Sequence, residues 1–146
     1  MKVFISSTWK NVNSVRKMAE RLRNEGHIVY DFTDRKCRKT PEHMSTEDKN
    51  VFNPEKDNYC QHMESQVELY ACVMNNQEAL RWCDLCILLQ PCGVAANVDW
   101  AYALGAGKST IVCGKPRADF VCGAHLWADK IIDNPEDVYD YIKKNY

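Results

Sequence analysis

The sequence predicts an α/β protein: a single-domain, three-layer fold of the Rossmann or flavodoxin type, with a mostly parallel sheet of about five strands. Short apolar segments typical of buried strands alternate with segments of helical periodicity. The segment Leu85–Gln90 is almost continuously hydrophobic, as in a parallel strand covered on both faces. A chain of 146 residues also fits one domain with an ordinary core. We therefore expect one domain over residues 1–146.

The first half of the chain opens with a strand, a helix and a second strand. Apolar residues at helical spacing predict the helix, and Gly26 follows its last turn. A start of this kind implies a parallel strand pair joined by a right-handed crossover. The predicted elements are a strand at Val3–Ile5, a helix from about Ser14 to Glu25 and a strand at His27–Phe32.

The middle of the chain is harder to assign. Residues 33–58 have no clean periodicity and contain Pro41 and Pro54. Because so long a loop in a compact domain is usually functional or mobile, we interpret it as a lid or active-site flap, with partial disorder as the alternative. A helical region follows from about Gln61 to Trp82, with a break predicted near Met74–Asn76.

The second half continues the alternation and ends in a helix. Asn134 is the expected N-cap of that last helix, with Pro135 in its first turn, and the helix runs to about Lys144. The other predicted elements are strands at Leu85–Gln90, Thr110–Cys113 and Lys130–Ile132 and a helix from about Val98 to Gly105. These boundaries place Asp99 in the first turn of a helix.

The overall charge gives no reason to expect nucleic acid or an anionic membrane as a partner. The net charge is −1, and the cluster Arg35–Lys39 is typical of a solvated loop. No apolar segment approaches the roughly 20 residues that a membrane helix needs. The first strand becomes polar at Ser6, which is too early for a signal peptide. We therefore expect a cytoplasmic protein without a membrane partner.

Eight cysteines are many for this length. In the cytoplasm they should be reduced and mostly packed as small hydrophobic residues. Cys83 and Cys86 have redox-motif spacing, but residues three apart on a strand point to opposite faces, so we expect their sulfurs to diverge. A zinc site is an alternative in the middle loop, although its spacing fits no standard zinc motif. Its candidate ligands are Cys37, His43, Cys60 and His62; the interpretation we adopt has no metal and no cofactor.

Three loops follow the carboxyl ends of the first three predicted strands, where ligands bind in open α/β sheets. They carry hydroxyl, aromatic, carboxylate and glycine residues, which together form a plausible nucleoside-sized pocket. Asp99 follows the third loop, where a helix dipole would keep its carboxylate ionised. The loop residues are Ser6–Trp9, Tyr30–Asp31 and Cys92–Asn97.

With these residues the chain resembles the nucleoside 2-deoxyribosyltransferase and nucleotide N-hydrolase superfamily over nearly its whole length. The segments Val3–Asn11 and Gly26–Phe32 are similar to the first strand with its substrate loop and to the second strand of that family. The most specific match is an acid followed by Tyr102-Ala103 and Gly107-Lys108, with the acid nine positions before the lysine.

The resemblance implies roles for two residues. Asp99 occupies the position of the family's nucleophilic Glu, which attacks the anomeric carbon. Asn76, eight residues before Asp84, occupies the position of an Asp on the preceding helix. Both signature carboxylates are therefore altered. A third difference, Gly93-Val94-Ala95 in place of a Ser or Arg-Ser near the phosphate, weakens the case for a 5′-phosphate contact.

The resemblance further implies N-glycosidic hydrolysis or base exchange on a nucleoside or nucleotide, by a homodimer or larger homo-oligomer. Asp99 would be the nucleophile or oxocarbenium stabiliser and Asn76 would orient it, with Asp31, His125 or water protonating the leaving base. The alternatives are an inactive sensor of a nucleotide or ADP-ribose-type ligand, an interaction domain, or purely structural roles for Asp99 (a helix N-terminal acid) and Asn76 (a helix-break cap). The expected substrate-binding residues are Ser6, Ser7, Trp9, Tyr30, Asp31, Cys92, Gly93, Asn97 and His125.

Overall fold

A five-stranded, wholly parallel sheet forms the centre of the molecule, which confirms the predicted fold class. The computed structural model describes residues 1–33, 55–56, 58–64, 67–118 and 121–146. The strands are β1 (Lys2–Ser6), β2 (Ile28–Asp31), β3 (Leu85–Leu89), β4 (Ser109–Cys113) and β5 (Lys130–Ile132). The helices are α1 (Val12–Asn24), α2 (Tyr59–Glu64), α3 (Val67–Trp82), α4 (Val94–Gly105) and α5 (Asp137–Asn145).

The strand order is β2-β1-β3-β4-β5, which is the flavodoxin-like order. The chain leaves β1 toward one face of the sheet and leaves β3 toward the other, so a crevice opens between the carboxyl ends of these two adjacent strands. The register pairs Phe4 of β1 with Tyr30 on one side and with Cys86 on the other. These three residues therefore lie in one row across the sheet.

Alternating side chains divide the core into two layers. Val3 and Ile5 of β1 face α1 and α5, and this layer includes Leu22 and Ile142. Phe4 points to the opposite face, where the core contains Leu80 of α3 and Trp100 of α4. The polar groups around α3 and α4 lie in this second layer.

The last helix, α5, begins at Asp137 with Glu136 as its N-cap, so the prediction of Asn134 as N-cap is wrong.

Two further helix predictions differ from the structure, and both affect the site. α4 begins at Val94, four residues earlier than predicted, with Gly93 in extended conformation as its N-cap. Asp99 therefore lies in the second turn, and the prediction that it belongs to the first turn is wrong. α3 continues through Met74–Asn76 without the predicted break, so Asn76 is not a helix-break cap.

The two cysteines with redox-motif spacing are both buried in the core beneath α3 and α4, so the prediction that they point to opposite faces is wrong. Cys83 lies in the turn before β3 rather than on the strand, and strand alternation does not apply to it. Both are free thiols, and burial raises the pKa of Cys83 to about 11. Protonated, enclosed thiols of this kind are packing residues.

Several predictions fall on residues that the structure does not describe. The lid assigned to residues 33–58 lies almost wholly there, as do the basic cluster and two of the zinc-ligand candidates, Cys37 and His43. Over the described part of the chain, no three His, Cys, Asp or Glu side chains are grouped as metal ligands would be. No helix within the same residues has the length and apolarity required to cross a bilayer.

Candidate active site

Three side chains from three elements form a hydrogen-bonded chain that ends at Asp99. The hydroxyl of Tyr30 on β2 donates to Oδ1 of Asn76 on α3 at 3.0 Å. Nδ2 of Asn76 donates to Oδ2 of Asp99 on α4, also at 3.0 Å. Because the tyrosine donor fixes which end of the amide faces it, Asn76 must present its NH₂ group to the carboxylate.

Sheet alternation and helix periodicity bring these groups together. The ring of Tyr30 stacks on Phe4, with centroids 5.2 Å apart and planes 10° apart, so the hydroxyl points toward the helices. On α4, Asp99 lies one turn after Ala96 and one turn before Ala103, both buried against the sheet. The carboxylate therefore lies between α3 and α4, where it contacts Asn76.

Burial dominates the electrostatics of Asp99. It raises the pKa of this carboxyl from 3.8 to about 6, and the hydrogen bond from Asn76 opposes the rise. A helix dipole acts mainly within the first turn, so the prediction that a dipole governs the ionisation of Asp99 is wrong; burial governs its pKa instead. The second oxygen, Oδ1, has no hydrogen-bond partner within the part of the chain that the structure describes.

A second cluster ties together the carboxyl ends of β1 and β3 at the crevice. Ser6 Oγ donates to the carbonyl of Ala96 at 3.1 Å, and Ser7 Oγ donates to the carbonyl of Leu89 at 2.7 Å. The amide of Asn11 donates to Ser7 Oγ at 3.2 Å and to the carbonyl of Gln90 at 3.1 Å. Ser6 thus touches the first turn of the helix that carries Asp99.

Asp31 is engaged elsewhere, although it follows Tyr30 directly. Its carboxylate forms an ion pair with Arg23 at 2.9 Å and accepts hydrogen bonds from the backbone and hydroxyl of Thr33. The side chain is 2% exposed and faces the layer opposite to Tyr30. Trp9 packs edge-on against Phe32, with centroids 4.9 Å apart, next to this region.

The remaining predicted residues form a third cluster on the far side of α4. Asn97 Nδ2 donates to Cys92 Sγ at 3.2 Å and to the carbonyl of Gly93 at 2.9 Å, while its Oδ1 lies 2.8 Å from His125 Nε2. Two helical positions correspond to about 200° of rotation, so Asn97 and Asp99 point in nearly opposite directions. Sequence proximity therefore does not place this cluster beside Asp99.

Burial favours the uncharged forms of Cys92 and His125 in this third cluster. It raises the pKa of the Cys92 thiol to about 11 and lowers the pKa of His125. Because Asn97 uses its NH₂ group on Cys92 and Gly93, its oxygen must accept from a neutral His125 that carries its proton on Nε2. A protonated thiol and a neutral imidazole held this way are suited to fixing the loop before α4.

Some residues that position the site were not predicted. Asn11 and Gln90 connect the ends of β1 and β3, and Phe4 is the platform for Tyr30. The sequence does mark Gln90 as a candidate, because it is the one polar residue at the end of an otherwise apolar strand segment. Asn11 and Phe4 lie in the segment Val3–Asn11 that resembles the family, but their contacts were not predictable because their partners are far away in sequence.

Together these features define an α/β protein of the doubly wound, flavodoxin-like class, with a partly buried carboxylate beside its topological switch point. The fold is similar to that of a 2-deoxyribosyltransferase from the psychrotolerant bacterium Bacillus psychrosaccharolyticus, with a TM-score of 0.63 and 14% identity over 100% of this chain and 92% of the other. It is also similar to the CMP N-glycosidase of Clostridium botulinum, with a TM-score of 0.53 and 13% identity over the whole of both chains. No family model and no curated protein sequence matches the chain.

Proposed function

We propose that this protein is a divergent member of the nucleoside 2-deoxyribosyltransferase and nucleotide N-hydrolase superfamily and acts on the N-glycosidic bond of a nucleoside or nucleotide. The observation that carries the proposal lies between α3 and α4, where Asn76 holds one oxygen of Asp99 and the other oxygen binds none of the residues that the structure describes. Two structures that share the fold are described as a 2-deoxyribosyltransferase and a CMP N-glycosidase, which supports this class of substrate.

In the proposed reaction, Asp99 Oδ1 attacks the anomeric carbon or stabilises the positive charge that develops there. The bond from that carbon to the base nitrogen breaks, and its electron pair leaves with the base. The sugar is held as an ester of Asp99 or as an oxocarbenium ion stabilised by the carboxylate. Water then completes hydrolysis, or a second base completes exchange. The reaction requires ionised Asp99, so activity should rise as the pH increases through about 6.

The neighbouring residues have distinct proposed roles. Asn76 and Tyr30 orient the carboxylate, while Ser6, Ser7, Trp9 and Gly93 border the sugar and base near the crevice. We assign Asp31, Cys92, Asn97 and His125 to support of this site, because their polar groups bind other protein groups.

A binding module for a nucleotide or ADP-ribose-type ligand is the second candidate, and one observation favours it. Asn76 cannot transfer a proton, and Asp31 is paired with Arg23 in the opposite layer. Protonation of the leaving base would then depend on water or on a group of the substrate.

Release of free base distinguishes the two candidates. Purified protein is incubated with a panel of ribonucleosides, 2′-deoxyribonucleosides and 5′-monophosphates, with and without a second base, and products are separated by liquid chromatography. We expect base release from at least one substrate and loss of at least 100-fold in activity for Asp99→Ala. Exchange with the added base would identify a transferase.

The matched control is Asp140→Ala, which removes an exposed carboxylate from α5 and should leave the rate unchanged. Retained activity in a folded Asp99→Ala protein would show that another group carries the chemistry. If the whole panel releases no base but one member binds saturably in calorimetry, the binding module is correct and the enzyme proposal is wrong.

A further inference from the structure

A pocket with a volume of about 380 Å³ lies between the strand β2 and the helix α3. Its lining consists of residues 28–30 of β2 and of Asn75, Glu78, Ala79 and Trp82 of α3, and we call it the β2–α3 pocket. Pockets that bind small molecules in proteins have volumes of about 300–1,000 Å³. The β2–α3 pocket is therefore large enough for a small organic molecule.

Helix periodicity and the sheet edge together create this pocket. The four α3 residues have i, i+3, i+4 and i+7 spacing, so they share one face of the helix. Ile28 and Tyr30 point to the same face of the sheet because side chains alternate along a strand. Within the described residues β2 is the last strand on its side of the sheet, which leaves Ile28 61% exposed.

Two polar side chains of the lining have unused hydrogen-bonding groups. Neither Glu78 nor Asn75 forms a hydrogen bond or an ion pair with any residue that the structure describes. A carboxylate is only an acceptor, so Glu78 selects a ligand that donates hydrogen bonds. A cationic donor forms a stronger hydrogen bond to a carboxylate than a neutral donor does. The charge of the lining therefore favours a cation at Glu78.

Aromatic rings form another part of the lining. Trp82 and Tyr30 are partly buried and pack against the core beneath α3, and such rings favour offset or edge contacts with another ring. Lys2 Nζ lies 5.5 Å from the centroid of the Trp82 ring, a cation–π distance. Because this end of the pocket already has a positive charge, a bound cation is favoured at Glu78, about one helical turn away.

We propose that the β2–α3 pocket binds a small planar aromatic molecule that carries an amidinium or ammonium group. The ring of the ligand packs against Trp82 and Tyr30. Its cationic N–H groups donate to the carboxylate of Glu78, and the amide oxygen of Asn75 accepts from the same group. An anion of the same shape would place a like charge beside Glu78.

The proposed ligand site is separate from the carboxylate of Asp99. Glu78 is two positions from Asn76, the residue that contacts Asp99, and two helical positions correspond to about 200° of rotation. Glu78 and Asn76 therefore point in nearly opposite directions. Tyr30 belongs to both places, because it lines the pocket and donates to Asn76. The proposal depends on the lining of the pocket, and it holds whether or not the protein cleaves a glycosidic bond.

Titration with benzamidine, a planar aromatic amidinium, tests the proposal, and benzoate is the anionic probe of similar shape. In isotope-labelled protein, heteronuclear NMR follows the indole N–H of Trp82, which is assigned from its loss in Trp82→Phe. We expect benzamidine to shift this resonance saturably, with a Kd on the order of 1 mM, and benzoate to bind at least about 10-fold more weakly. Absence of a saturable shift, or equal binding of the two probes, would overturn the proposal.

Variants locate the probe. Glu78→Gln should raise the Kd of benzamidine about 10-fold, because the charge-assisted hydrogen bond is lost. The matched control is Glu20→Gln, which neutralises an exposed carboxylate on α1 and should leave the Kd unchanged. Asp99→Asn should also leave it unchanged. Circular dichroism verifies that each variant is folded.

Two results with these variants would contradict the proposed site. An unchanged Kd in folded Glu78→Gln would show that this carboxylate does not hold the cation, and loss of binding in folded Asp99→Asn would place the probe at Asp99 instead. Should Glu78→Gln fail to fold, Asn75→Ala replaces it, because it removes the second polar group of the lining without a change of charge. That variant should raise the Kd by about 3-fold or more, and an unchanged Kd would again overturn the proposal.

Discussion

Asp99 is held in a position that costs stability when it is ionised. Burial raises its pKa from 3.8 to about 6, so the folded protein binds the proton more tightly than the unfolded chain does. Stability from this group is fully present below about pH 4 and is lost as the pH rises through about 6. The difference corresponds to about 3 kcal/mol in the free energy of unfolding.

Asp99→Asn should remove this pH dependence, because the amide does not titrate and its oxygen can still accept from Asn76. The unmodified protein should lose stability between pH 4 and pH 7.5, whereas the variant should not. The difference in the free energy of unfolding, variant minus unmodified protein, should therefore be about 2–3 kcal/mol larger at pH 7.5 than at pH 4. Urea unfolding at both pH values measures it, with Asp140→Asn on α5 as the exposed control. A difference that does not change with pH would mean that the carboxylate is well solvated.

Tyr30 acts on Asp99 through the Asn76 amide and is a positioning residue. Tyr30→Phe keeps the stacking on Phe4 but frees the amide to turn away from Asp99. Because the Asn76 hydrogen bond lowers the pKa of Asp99, its weakening should move the midpoint of the pH–rate profile above 6 and reduce kcat more than it raises KM. Tyr102→Phe serves as the control on α4. A profile with an unchanged midpoint would argue against the positioning role.

At the level of elements, an ion pair ties the end of α1 to β2. Arg23 donates to the carbonyl of Val29 and to the carboxylate of Asp31, which is almost fully buried. The hydroxyl and backbone of Thr33 also donate to that carboxylate. A carboxylate held this way stabilises the connection between elements, which explains why its position next to Tyr30 does not bring it into the site.

Arg23→Met should therefore lower stability without changing the site. We expect a loss of about 2–3 kcal/mol in the free energy of unfolding, because Asp31 would stay buried without the positive charge of Arg23. The estimate lies below that for a fully buried pair because Arg23 is about one-third exposed. Arg16→Met on the exposed side of α1 is the control and should change stability by less than about 0.5 kcal/mol. Equal losses in the two variants would contradict the role assigned to the ion pair.

At the level of the whole molecule, the two core layers should protect the thiols they enclose. Cys83, Cys86, Cys92 and Cys113 are buried, and burial raises the pKa of Cys113 to about 12. We expect alkylation followed by peptide mass mapping to show labelling of exposed Cys60 at least 100-fold faster than labelling of these four, with the difference lost in denaturant. Rapid labelling of Cys83 or Cys86 in the folded protein would revive the redox interpretation.

The predictability of the site depends on how far apart its members are in sequence. The position of Asp99 followed from its spacing to Tyr102 and Lys108 within one segment. Its environment did not, because Asn76 and Tyr30 come from two other elements and meet it only when α3 and α4 pack on the same face. Conversely, residues close in sequence need not share a site. Asn97 is two positions from Asp99 in sequence, but its side chain points to the other side of the helix.

The sequence by itself determined the fold class, because hydrophobic periodicity is a local property that identifies each strand and helix. Alternating buried strands and amphipathic helices pack as a parallel sheet with helices on both faces. The sequence also singled out Asp99, the acid around which we propose the site. Only the tertiary structure showed that α4 begins earlier than predicted, so that burial rather than a helix dipole sets the pKa of Asp99. It also showed that Asp31 and His125 belong to other clusters of side chains. Burial and hydrogen bonding depend on which faces meet across the sheet, and no local pattern contains that information.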